Sequence, residues 1–508
     1  MENTSMKSLW KTYSAGSSFA PLFGNISTEV AVIGGGITGI TTAQLLSEAG
    51  FDVAVLEAYS VGGGSTGGST GNIYNATETG FDTLTSKYDT EVVRQVTAAR
   101  EEALQLIRQN ILQYSIDCDY KAQPWFLFSS NEQNQDKIDK EYKAASDAGV
   151  DVSYIAPGEV PFPMVNGIRI DNQGQFNPLR YVQQLAKAID GGSVAIHEDT
   201  RVLSIEEIDG IIRVETNRGI VSAKYVVHAT HTPKGRMVDF HATLGTYREY
   251  GVAVKLASGN YPEGIFWGYF NANDRFSVRS YEHDGEKFLV CVGQPHRVGQ
   301  QENNEENIVN LENFLREHFD VAEVTNRWGG QNYKPANSLP YIGRKSKGSN
   351  EFVATGFSTD GLTWGTAAAF IIRDIIMDKE THYTQLFDAT RHSPVKAAGE
   401  FIKENASNAA QYFKDYILFK DSKLDEIPAG EGKVLEYDGK KVAVYKNDMG
   451  EMKACSAICT HLWCVVHWNR AEKTWDCPCH ASRFDTNGNI IEGPALDPLE
   501  QVTIREDN

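Results

Sequence analysis

Near its start the chain reads Glu29-Val-Ala-Val-Ile-Gly-Gly-Gly-Ile-Thr-Gly39, a short apolar run that leads into a glycine-rich turn. The apolar run predicts a buried strand. The next segment, Thr41–Ala49, predicts a helix, and Asp52-Val-Ala-Val-Leu-Glu57 predicts a second strand that ends on an acid. Glycines spaced G-x-G-x-x-G between a strand and a helix, with an acid closing the next strand, indicate a dinucleotide-binding βαβ unit.

The residues of this motif have separate roles in such a unit. Gly34 makes the turn, Gly36 lets a pyrophosphate approach the backbone, and Gly39 lets the helix pack closely on the strand. The N-terminus of the helix then faces the phosphates, and Glu57 accepts hydrogen bonds from a ribose. The motif by itself does not separate NAD from FAD.

A second glycine-rich stretch, Gly62-Gly-Gly-Ser-Thr-Gly-Gly-Ser-Thr-Gly71, follows the second strand. A flexible linker has a similar composition, but this stretch lies too close to the strand to separate domains, and its backbone suits the wrapping of a ligand. A Gly/Ser/Thr-rich turn at this place resembles the D-amino-acid-oxidase-like superfamily of FAD enzymes, which includes glycine oxidase, sarcosine oxidase and amine dehydrogenases. In that family the loop lies against the flavin end of FAD.

Later stretches extend the resemblance over about residues 28–378, and it implies FAD and not NAD. These stretches are Asn172–Pro178 before a helix at Arg180–Ile189, strands around Arg201–Ile205 and Ala223–Thr230, Ser338–Gly343, and Phe352–Gly365 before a helix at Thr366–Ile376. The N-terminus of the last helix would favour the negative charge of reduced flavin. The residues that the motif and the resemblance place against FAD are Gly34, Gly36, Ile37, Gly39, Glu57, Ser65, Thr66, Val202, Ala229, Gly356, Gly361, Leu362 and Thr363.

A different pattern of residues lies near the end of the chain, Cys459-Thr-His461 and then Cys477-Pro-Cys-His480. Two thiolates and two imidazoles on two short loops suit a [2Fe–2S] cluster in which two His replace two Cys on one iron, the Rieske arrangement. A structural zinc site or a chance clustering of thiols are the alternatives. Zinc sites usually use Cys-x-x-Cys or His-x₃₋₅-His spacing, which Cys-x-His does not match.

The neighbouring residues resemble Rieske proteins in more detail. The resemblance implies that Cys459 and Cys477 bind the inner iron, that His461 and His480 bind the outer iron, and that a disulfide joins Cys464 to Cys479. It also implies that Ser482 donates a hydrogen bond to cluster sulfur. Phe484 replaces a tyrosine, and Trp463 and Ala481 stand where quinol-oxidising Rieske proteins have Gly. We therefore expect a potential below the upper end of the Rieske range of roughly −150 to +300 mV.

These motifs predict an α/β FAD-binding Rossmann-like domain, an antiparallel α+β substrate domain and a small all-β Rieske domain. Residues 1–27 form an N-terminal extension and residues 28–390 the FAD-dependent oxidoreductase. Within it, we assign about 28–90, 170–235 and 326–378 to FAD binding, and about 91–169 and 236–325 to the substrate domain. Residues 391–420 predict a connecting helix, and residues 421–508 the Rieske domain.

Composition excludes some partners. The net charge of −19 argues against nucleic acid or an anionic membrane surface. No apolar run is long enough to span a bilayer, and residues 1–23 lack the apolar core of a signal peptide, so we expect a cytoplasmic protein. Five of the seven cysteines fall between Cys455 and Cys479, which is typical of a metal site, although a cytosolic disulfide would be unusual.

The joined resemblances imply an oxidoreductase that oxidises an amine or amino-acid-like substrate by hydride transfer to flavin. Electrons would then pass singly through the cluster to an external acceptor. A peroxide-forming flavin oxidase with a structural or sensing cluster is one alternative, and a non-catalytic redox carrier or sensor is another. The sequence does not set the direction of electron flow, the substrate or the oligomeric state.

Residues of the substrate pocket are less well defined. Arg248, Arg279 and Tyr281 are candidates to line it. Asn332 stands where glycine-oxidase-like members carry an Arg for the substrate carboxylate, which makes an amine, an N-methylated compound or a γ-glutamyl-type amine as suitable as an α-amino acid. Cys291 aligns with a lysine that activates oxygen in sarcosine-oxidase-like members, which favours a dehydrogenase over an oxidase.

Overall fold

Two mixed sheets and a small β-domain make up the chain in a computed structural model, which describes residues 6–14, 16–235, 237–271, 275–391 and 424–504. Nearly all of the predicted connecting helix at 391–420 lies outside the described residues. Strands and helices are numbered along the described chain as β1–β24 and α1–α10.

The first sheet contains the predicted βαβ unit and has eight strands. Its central strands run parallel in the order β17-β10-β1-β2-β7, and β16 and β9 join it antiparallel. The central parallel strands bury apolar residues on both faces, because one face packs against helices and the other against the β-hairpin at residues 202–216. The strands are β1 Ile26–Ile33, β2 Val53–Leu56, β7 Val194–His197, β8 Val202–Ile208, β9 Ile211–Thr216, β10 Gly219–His228, β16 Tyr341–Arg344 and β17 Glu351–Thr355.

Five helices accompany this sheet. They are α2 Ile37–Glu48, α4 Thr90–Gln113, α6 Pro178–Ile189, α9 Gly361–Ile376 and α10 His382–Leu386. The sequence predicted α9 from Thr366, but the end of the preceding loop already forms its first turn. A Cβ on Gly365 would lie 2.4 Å from Oγ1 of Thr38, so α2 and α9 cross closely near their N-termini. Both helix N-termini therefore reach the same edge of the sheet.

The second sheet has nine strands and forms the predicted substrate domain. Its strands are β3 Asn72–Ile73, β4 Lys121–Ser129, β5 Val152–Tyr154, β6 Asn166–Gln175, β11 Leu244–Leu256, β12 Ile265–Tyr269, β13 Arg275–His283, β14 Glu286–Arg297 and β15 Val321–Pro335. Its pairing is antiparallel except between β12 and β4. The remaining helices are α1 Leu9–Thr12, α3 Phe81–Lys87, α5 Gln135–Asp147, α7 Val238–His241 and α8 Glu305–His318.

The second sheet differs from the predicted boundaries at three strands. β3 and β15 belong to this sheet although about 28–90 and residues from 326 were assigned to FAD binding, and β6 runs across the predicted boundary at 169/170. A motif that contacts the cofactor therefore does not have to belong to the nucleotide-binding sheet.

Alternate residues of the second sheet face different neighbours. Tyr250, Val252 and Cys291 pack with α8 in an aromatic and aliphatic cluster. Ala253 and Trp328 face the other way, toward the first domain. The face opposite α8 thus forms one wall of the space between the two sheets.

The C-terminal domain is all-β, as predicted. One sheet contains β18 Glu431–Tyr437, β19 Lys440–Lys446 and β20 Met452–Ser456. The other contains β21 His467–Asn469, β22 Thr474–Asp476, β23 Arg483–Phe484 and β24 Ile490–Glu492. Val466, Trp475 and Phe484 are fully buried between them, together with the cysteines of the two ligand loops.

A pH-dependent contact supports α3. Glu141 of α5 accepts a hydrogen bond of 2.7 Å from the backbone N–H of Phe81, at a helix start where Gly80 offers no capping side chain. Burial raises the pKa of Glu141 from 4.5 to about 7. The folded protein therefore keeps a proton that the unfolded chain releases, so this contribution to stability is full below pH 4.5 and is lost as pH rises through 7.

We expect Glu141→Gln to remove that dependence. Between pH 5 and 8 the free energy of unfolding of the wild type should fall relative to the variant by on the order of 1–3 kcal/mol, since one pKa unit corresponds to about 1.4 kcal/mol. Urea titrations of both proteins across this range test it. Parallel curves would mean that Glu141 titrates with the same pKa in both states.

Candidate functional site

The glycine-rich turn has the geometry that a dinucleotide motif requires. Gly34 has φ +106°, and a Cβ there would lie 2.5 Å from the carbonyl oxygen of Ala229. A Cβ on Gly39 would lie 1.9 Å from the carbonyl oxygen of Gly34, which shows how closely α2 crosses β1. A Cβ on Gly36 would point at Oγ1 of Thr66, at 3.1 Å. The backbone is thus open where a phosphate would approach.

Glu57 lies at the end of β2, beside this turn. Its carboxylate accepts hydrogen bonds from the backbone N–H groups of Gly35, at 2.7 Å, and Tyr59, at 2.9 Å. Burial raises its pKa, and those backbone donors oppose the shift. Each oxygen has a further lone pair, so Glu57 can still accept from ribose hydroxyls.

A cavity of about 900 Å³ opens from the turn and runs between the two large sheets. The predicted FAD contacts that line it are Gly34, Gly36, Ile37, Glu57, Ser65, Thr66, Val202, Ala229, Gly361 and Leu362. Gly39, Gly356 and Thr363 are not among its lining residues. Gly39 sits behind the turn, Gly356 has φ +77° after β17, and Thr363 is buried within α9.

The N-terminus of α9 meets the cavity at Gly361. Its capping residue, Asp360, is held by Tyr74, whose hydroxyl donates at 3.0 Å, and by Arg100, at 3.2 Å. The guanidinium of Arg100 is fully buried. This buried contact fixes the helix end that the sequence placed next to the flavin.

The N-terminal extension also lines the cavity, which the sequence did not predict. Ser8 donates to the carbonyl oxygen of Gly67 at 2.5 Å, and the indole of Trp10 donates to Ser69 at 2.7 Å. Trp10 is fully buried. The pair Leu9-Trp10 within a polar segment is the signal that would have revealed this role.

Two of the predicted pocket residues support this N-terminal segment instead of the cavity. The guanidinium of Arg279 lies 4.9 Å from the ring of Trp10, and the ring of Tyr281 lies 4.8 Å from it. The hydroxyl of Tyr281 donates to Asp119 at 2.7 Å. Neither Arg279 nor Tyr281 is among the residues that line the cavity.

The other two predicted pocket residues, Arg248 and Asn332, do line the cavity. Asn332 is 4 % exposed, and its Oδ1 has no hydrogen-bond partner within the described chain. Glu249 lies in the same wall, and burial raises the pKa of its carboxyl. This wall therefore offers two acceptors, the Asn332 amide and the Glu249 carboxyl.

The structure corrects the expectation for Cys291. It is fully buried on the α8 face of β14, away from the cavity. Its neighbour Val292 lines the cavity. Val292 and not Cys291 faces the cavity, because successive strand residues face opposite sides.

The four predicted cluster ligands converge on two neighbouring loops. The Cys459 and Cys477 thiols contact each other, and the rings of His461 and His480 have centroids 5.0 Å apart. Nδ1 of His480 is buried without a hydrogen-bond partner within the described chain, as suits a ligand atom. A disulfide joins Cys464 to Cys479 across the two loops. This donor set fits a [2Fe–2S] cluster.

At two positions where the resemblance to Rieske proteins leads us to expect glycine, the ligand loops have a backbone conformation that favours glycine. Trp463 has φ +58° and Ala481 has φ +62°, left-handed conformations in which glycine is favoured. The sequence keeps that backbone with larger side chains. Ser482 lies against Cys459 and accepts a 3.0 Å hydrogen bond from the N–H of Ala495, and Phe484 is fully buried.

A buried ionic network connects the C-terminal domain to the second sheet. Arg248 donates through Nε and Nη2 to the carboxylate of Glu472, and their side chains are 3 % and 10 % exposed. Arg483 approaches the same Glu472 at 3.2 Å and Asp476 at 3.0 Å. Arg483 also lies 3.8 Å from Glu492, so two arginines face three carboxylates in this network. Arg248, predicted to meet the substrate, is engaged here by the C-terminal domain.

Residues of both domains share the cavity. Glu472, Thr474, Arg483 and Glu492 of the C-terminal domain line it together with the nucleotide turn. Glu492 lies 3.5 Å from Nδ1 of His231, whose ring also contacts Ser65 of the glycine-rich loop at 2.8 Å. The C-terminal domain therefore closes part of the cavity, although none of the four predicted cluster ligands lines it.

Comparisons with known proteins agree with this architecture. A family model described as FAD dependent oxidoreductase matches residues 29–375, and a Rieske [2Fe-2S] domain model matches residues 418–503. Over 499 residues the chain is 29% identical to a putative Rieske 2Fe-2S iron-sulfur protein, YhfW, of Bacillus subtilis (strain 168), with 97% of each chain covered.

Two further comparisons cover part of the chain. The chain is 31% identical over 227 residues to gamma-glutamylputrescine oxidoreductase of Escherichia coli (strain K12), covering 44% of this chain and 53% of the relative. The structure of glycine oxidase from Geobacillus kaustophilus superposes with a TM-score of 0.58 and 19% identity, covering 72% of this chain and 99% of that one.

No helix in the described part of the chain combines the length and apolarity that crossing a membrane requires. The family matches imply FAD for the first domain and a [2Fe–2S] cluster for the second, and the residues above fit both groups. The chain belongs to the FAD-dependent oxidoreductase family and carries a C-terminal Rieske [2Fe-2S] domain.

Proposed function

We propose that this protein is a dehydrogenase that oxidises an amine or amino-acid-like substrate and delivers the electrons singly to an external acceptor. The observation that carries the proposal is the shared cavity, which the nucleotide turn and the C-terminal residues Glu472, Arg483 and Glu492 line together. When bound, FAD takes a hydride from a carbon donor, and the cluster carries one electron at a time. The Rieske domain thus lies against the cavity that would hold FAD, which supports transfer between the two groups.

The wall of the cavity supports an amine as donor. The resemblance to glycine-oxidase-like members aligns Asn332 with a carboxylate-binding Arg, and the buried Oδ1 of Asn332 can accept a hydrogen bond from a substrate N–H. The nearby Glu249 carboxyl, with its raised pKa, is suited to take a proton from a substrate ammonium. A relative named gamma-glutamylputrescine oxidoreductase is consistent with this donor class.

Anaerobic mixing with a panel of amines and amino acids tests the proposal. Flavin absorbance and the electron paramagnetic resonance (EPR) signal of the cluster are followed together. A compound that bleaches the flavin and then produces the Rieske signal identifies the substrate class and supports the dehydrogenase. Bleaching without the signal, with substrate-dependent peroxide in air, would favour the oxidase, and failure of every compound would favour a carrier or sensor.

Once a substrate is known, Asn332→Leu should lower kcat/KM for flavin reduction by roughly tenfold to a hundredfold, since a hydrogen bond to a charged group contributes about 1.5–3 kcal/mol. Thr325→Val is the control, a polar-to-apolar change in the same strand that is outside the cavity. Equal kcat/KM for the Asn332 variant and the wild type would remove this residue from substrate binding.

A further inference from the structure

The side of the cluster site that carries His461 and His480 faces the FAD domain. His461 is 3 % exposed, and its Nε2 lies 3.2 Å from the carbonyl oxygen of Gly235, to which the imidazole N–H can donate. The ring of His241 stands perpendicular to the His461 ring at 4.7 Å and lies 5.7 Å from the His480 ring. A residue of the FAD domain therefore packs across both predicted iron-binding histidines.

His241 is itself held in place. Its Nε2 lies 2.9 Å from the carbonyl oxygen of Pro233, and its side chain is 3 % exposed. The neighbouring Phe240 packs in one apolar cluster with Ala481 of the second ligand loop. Helix α7 and the second ligand loop therefore pack against each other. Separating them would leave a void between buried side chains, which protein interiors avoid.

The same chain segment also reaches the FAD cavity. Residues 229–235, which we call the bridging loop, leave the end of β10. Ala229 and His231 line the cavity at one end, and His231 contacts Ser65 of the glycine-rich loop Gly62–Gly71. At the other end the N–H of Gly235 donates to the carbonyl oxygen of Pro494 at 3.0 Å. The loop thus contacts both candidate cofactor sites.

Strand β15 provides a second connection. Gln331 donates through Nε2 to the carbonyl oxygen of Ala481 at 3.0 Å. Its neighbour Asn332 lines the flavin side of the cavity. Adjacent residues of one strand therefore contact the cluster loop and the cavity wall.

We propose that the surface formed by the bridging loop and α7 is the contact through which electrons pass between FAD and the cluster, with His241 as a positioning residue. The inference rests on the proposed function only in assuming that electrons move between these two cofactors. FADH₂ gives up two electrons in two successive transfers, each of which reduces one ferric ion of the cluster, and the two protons that are lost as FADH₂ becomes FAD pass to solvent. The external one-electron acceptor reoxidises the cluster before the second electron moves.

The Rieske domain does not have to move for this internal transfer, because His461 and His480 already lie against the FAD domain. Electron transfer slows steeply as the gap between donor and acceptor widens. We expect His241→Leu to slow it by at least roughly tenfold, given that a misplacement of about 1 Å can cost up to a hundredfold in a positioned reaction. His318→Leu is the matched control, a histidine of α8 whose ring packs at 4.7 Å on Phe314.

The test starts with light-driven reduction of the flavin in the holoenzyme, which needs no substrate. The rate at which the cluster EPR signal appears is then recorded for the wild type and both variants. Electron–nuclear double resonance of the histidine nitrogens reports whether the ligands have moved, which a purely structural effect elsewhere would not change. We expect a slower signal and altered nitrogen couplings in His241→Leu and neither in His318→Leu.

A wild-type measurement covers the case in which His241→Leu loses a cofactor. In D₂O the Nε2 proton of His461 should exchange slowly, since Gly235 and His241 cover it. Fast exchange in the wild type, or an unchanged transfer rate in His241→Leu, would overturn the inference. If no amine bleaches the flavin but light-driven transfer behaves as expected, the proposed substrate class fails while this contact stands.

Discussion

Replacing Arg248 by alanine should weaken the docking of the Rieske domain by about 3–5 kcal/mol, the usual cost of removing one partner of a buried ion pair. The variant leaves the Glu472 carboxylate 10 % exposed and without its two-point partner. Burial by itself would raise the pKa of Glu472, but the charges of Arg248 and Arg483 outweigh burial and keep this pKa below its usual value. Without Arg248 the larger contribution to that compensation is lost, so the carboxylate must either take up a proton or regain water.

Hydrogen–deuterium exchange of residues 467–476 is the direct measurement, because these strands lie behind the ion pair. We expect faster exchange there in Arg248→Ala, together with slower flavin-to-cluster transfer after light-driven reduction. Lys121→Ala is the control, since Lys121 and Glu263 form a pair whose side chains are 53 % and 74 % exposed. Removing such a pair should change stability by less than about 1 kcal/mol.

The double variant Arg248→Met with Glu472→Leu separates charge from packing. Apolar replacement of both partners in a buried pair is often neutral or stabilising, so docking should recover relative to Arg248→Ala. If the double variant is as weakly docked as the single one, the interface depends on shape and hydrogen bonding at Gly329, where a Cβ would meet Nη2 of Arg248 at 2.5 Å. Equal exchange in the wild type and Arg248→Ala would show that the ion pair does not hold the domain.

Replacing Gly39 by alanine should weaken the binding of FAD. The added Cβ would lie 1.9 Å from the carbonyl oxygen of Gly34 and 3.3 Å from Cγ1 of Val32. Both neighbours are part of the β1 turn, so either α2 or the turn must move. Overpacking of this kind costs about 1–3 kcal/mol or more, and here it displaces the backbone that faces the phosphates. We expect FAD affinity to fall by roughly tenfold to a hundredfold.

The flavin absorbance spectrum of the purified variant and its melting temperature with added FAD provide the readout. A protein that no longer binds FAD should lose the FAD-dependent rise in melting temperature. Ala43→Gly is the control in the same helix, since it lowers helix stability by about 1 kcal/mol without adding an atom. Full flavin content in Gly39→Ala would contradict the close crossing of α2 and β1.

Local motifs made much of this protein predictable from sequence. The βαβ unit, the two ligand loops and the disulfide between Cys464 and Cys479 all follow from residues a few positions apart, or from a resemblance carried by such residues. Their geometry is set by short-range constraints such as a positive φ at Gly34 and a helix that begins directly after the turn. These constraints hold in any tertiary context.

The pocket residues were less predictable because their roles depend on which face of a strand they occupy. Cys291 and Val292 are neighbours, yet one packs with α8 and the other lines the cavity. The register of β11 shifts between Arg248 and Tyr250, and a shift of one residue changes which side chains face each side. Arg279 and Tyr281 have the chemistry of a substrate site, but the guanidinium of Arg279 and the ring of Tyr281 pack on the buried Trp10.

By itself the sequence determined the two cofactor-binding units, because a turn, a helix start or a ligand loop is specified by residues that lie close together in the chain. Only the tertiary structure decided how the units meet. Arg248 and Glu472 are 224 residues apart in sequence, and Tyr59 donates to a carbonyl oxygen 431 residues away. Such contacts depend on the fit of two folded surfaces, and no local pattern of residues specifies that fit.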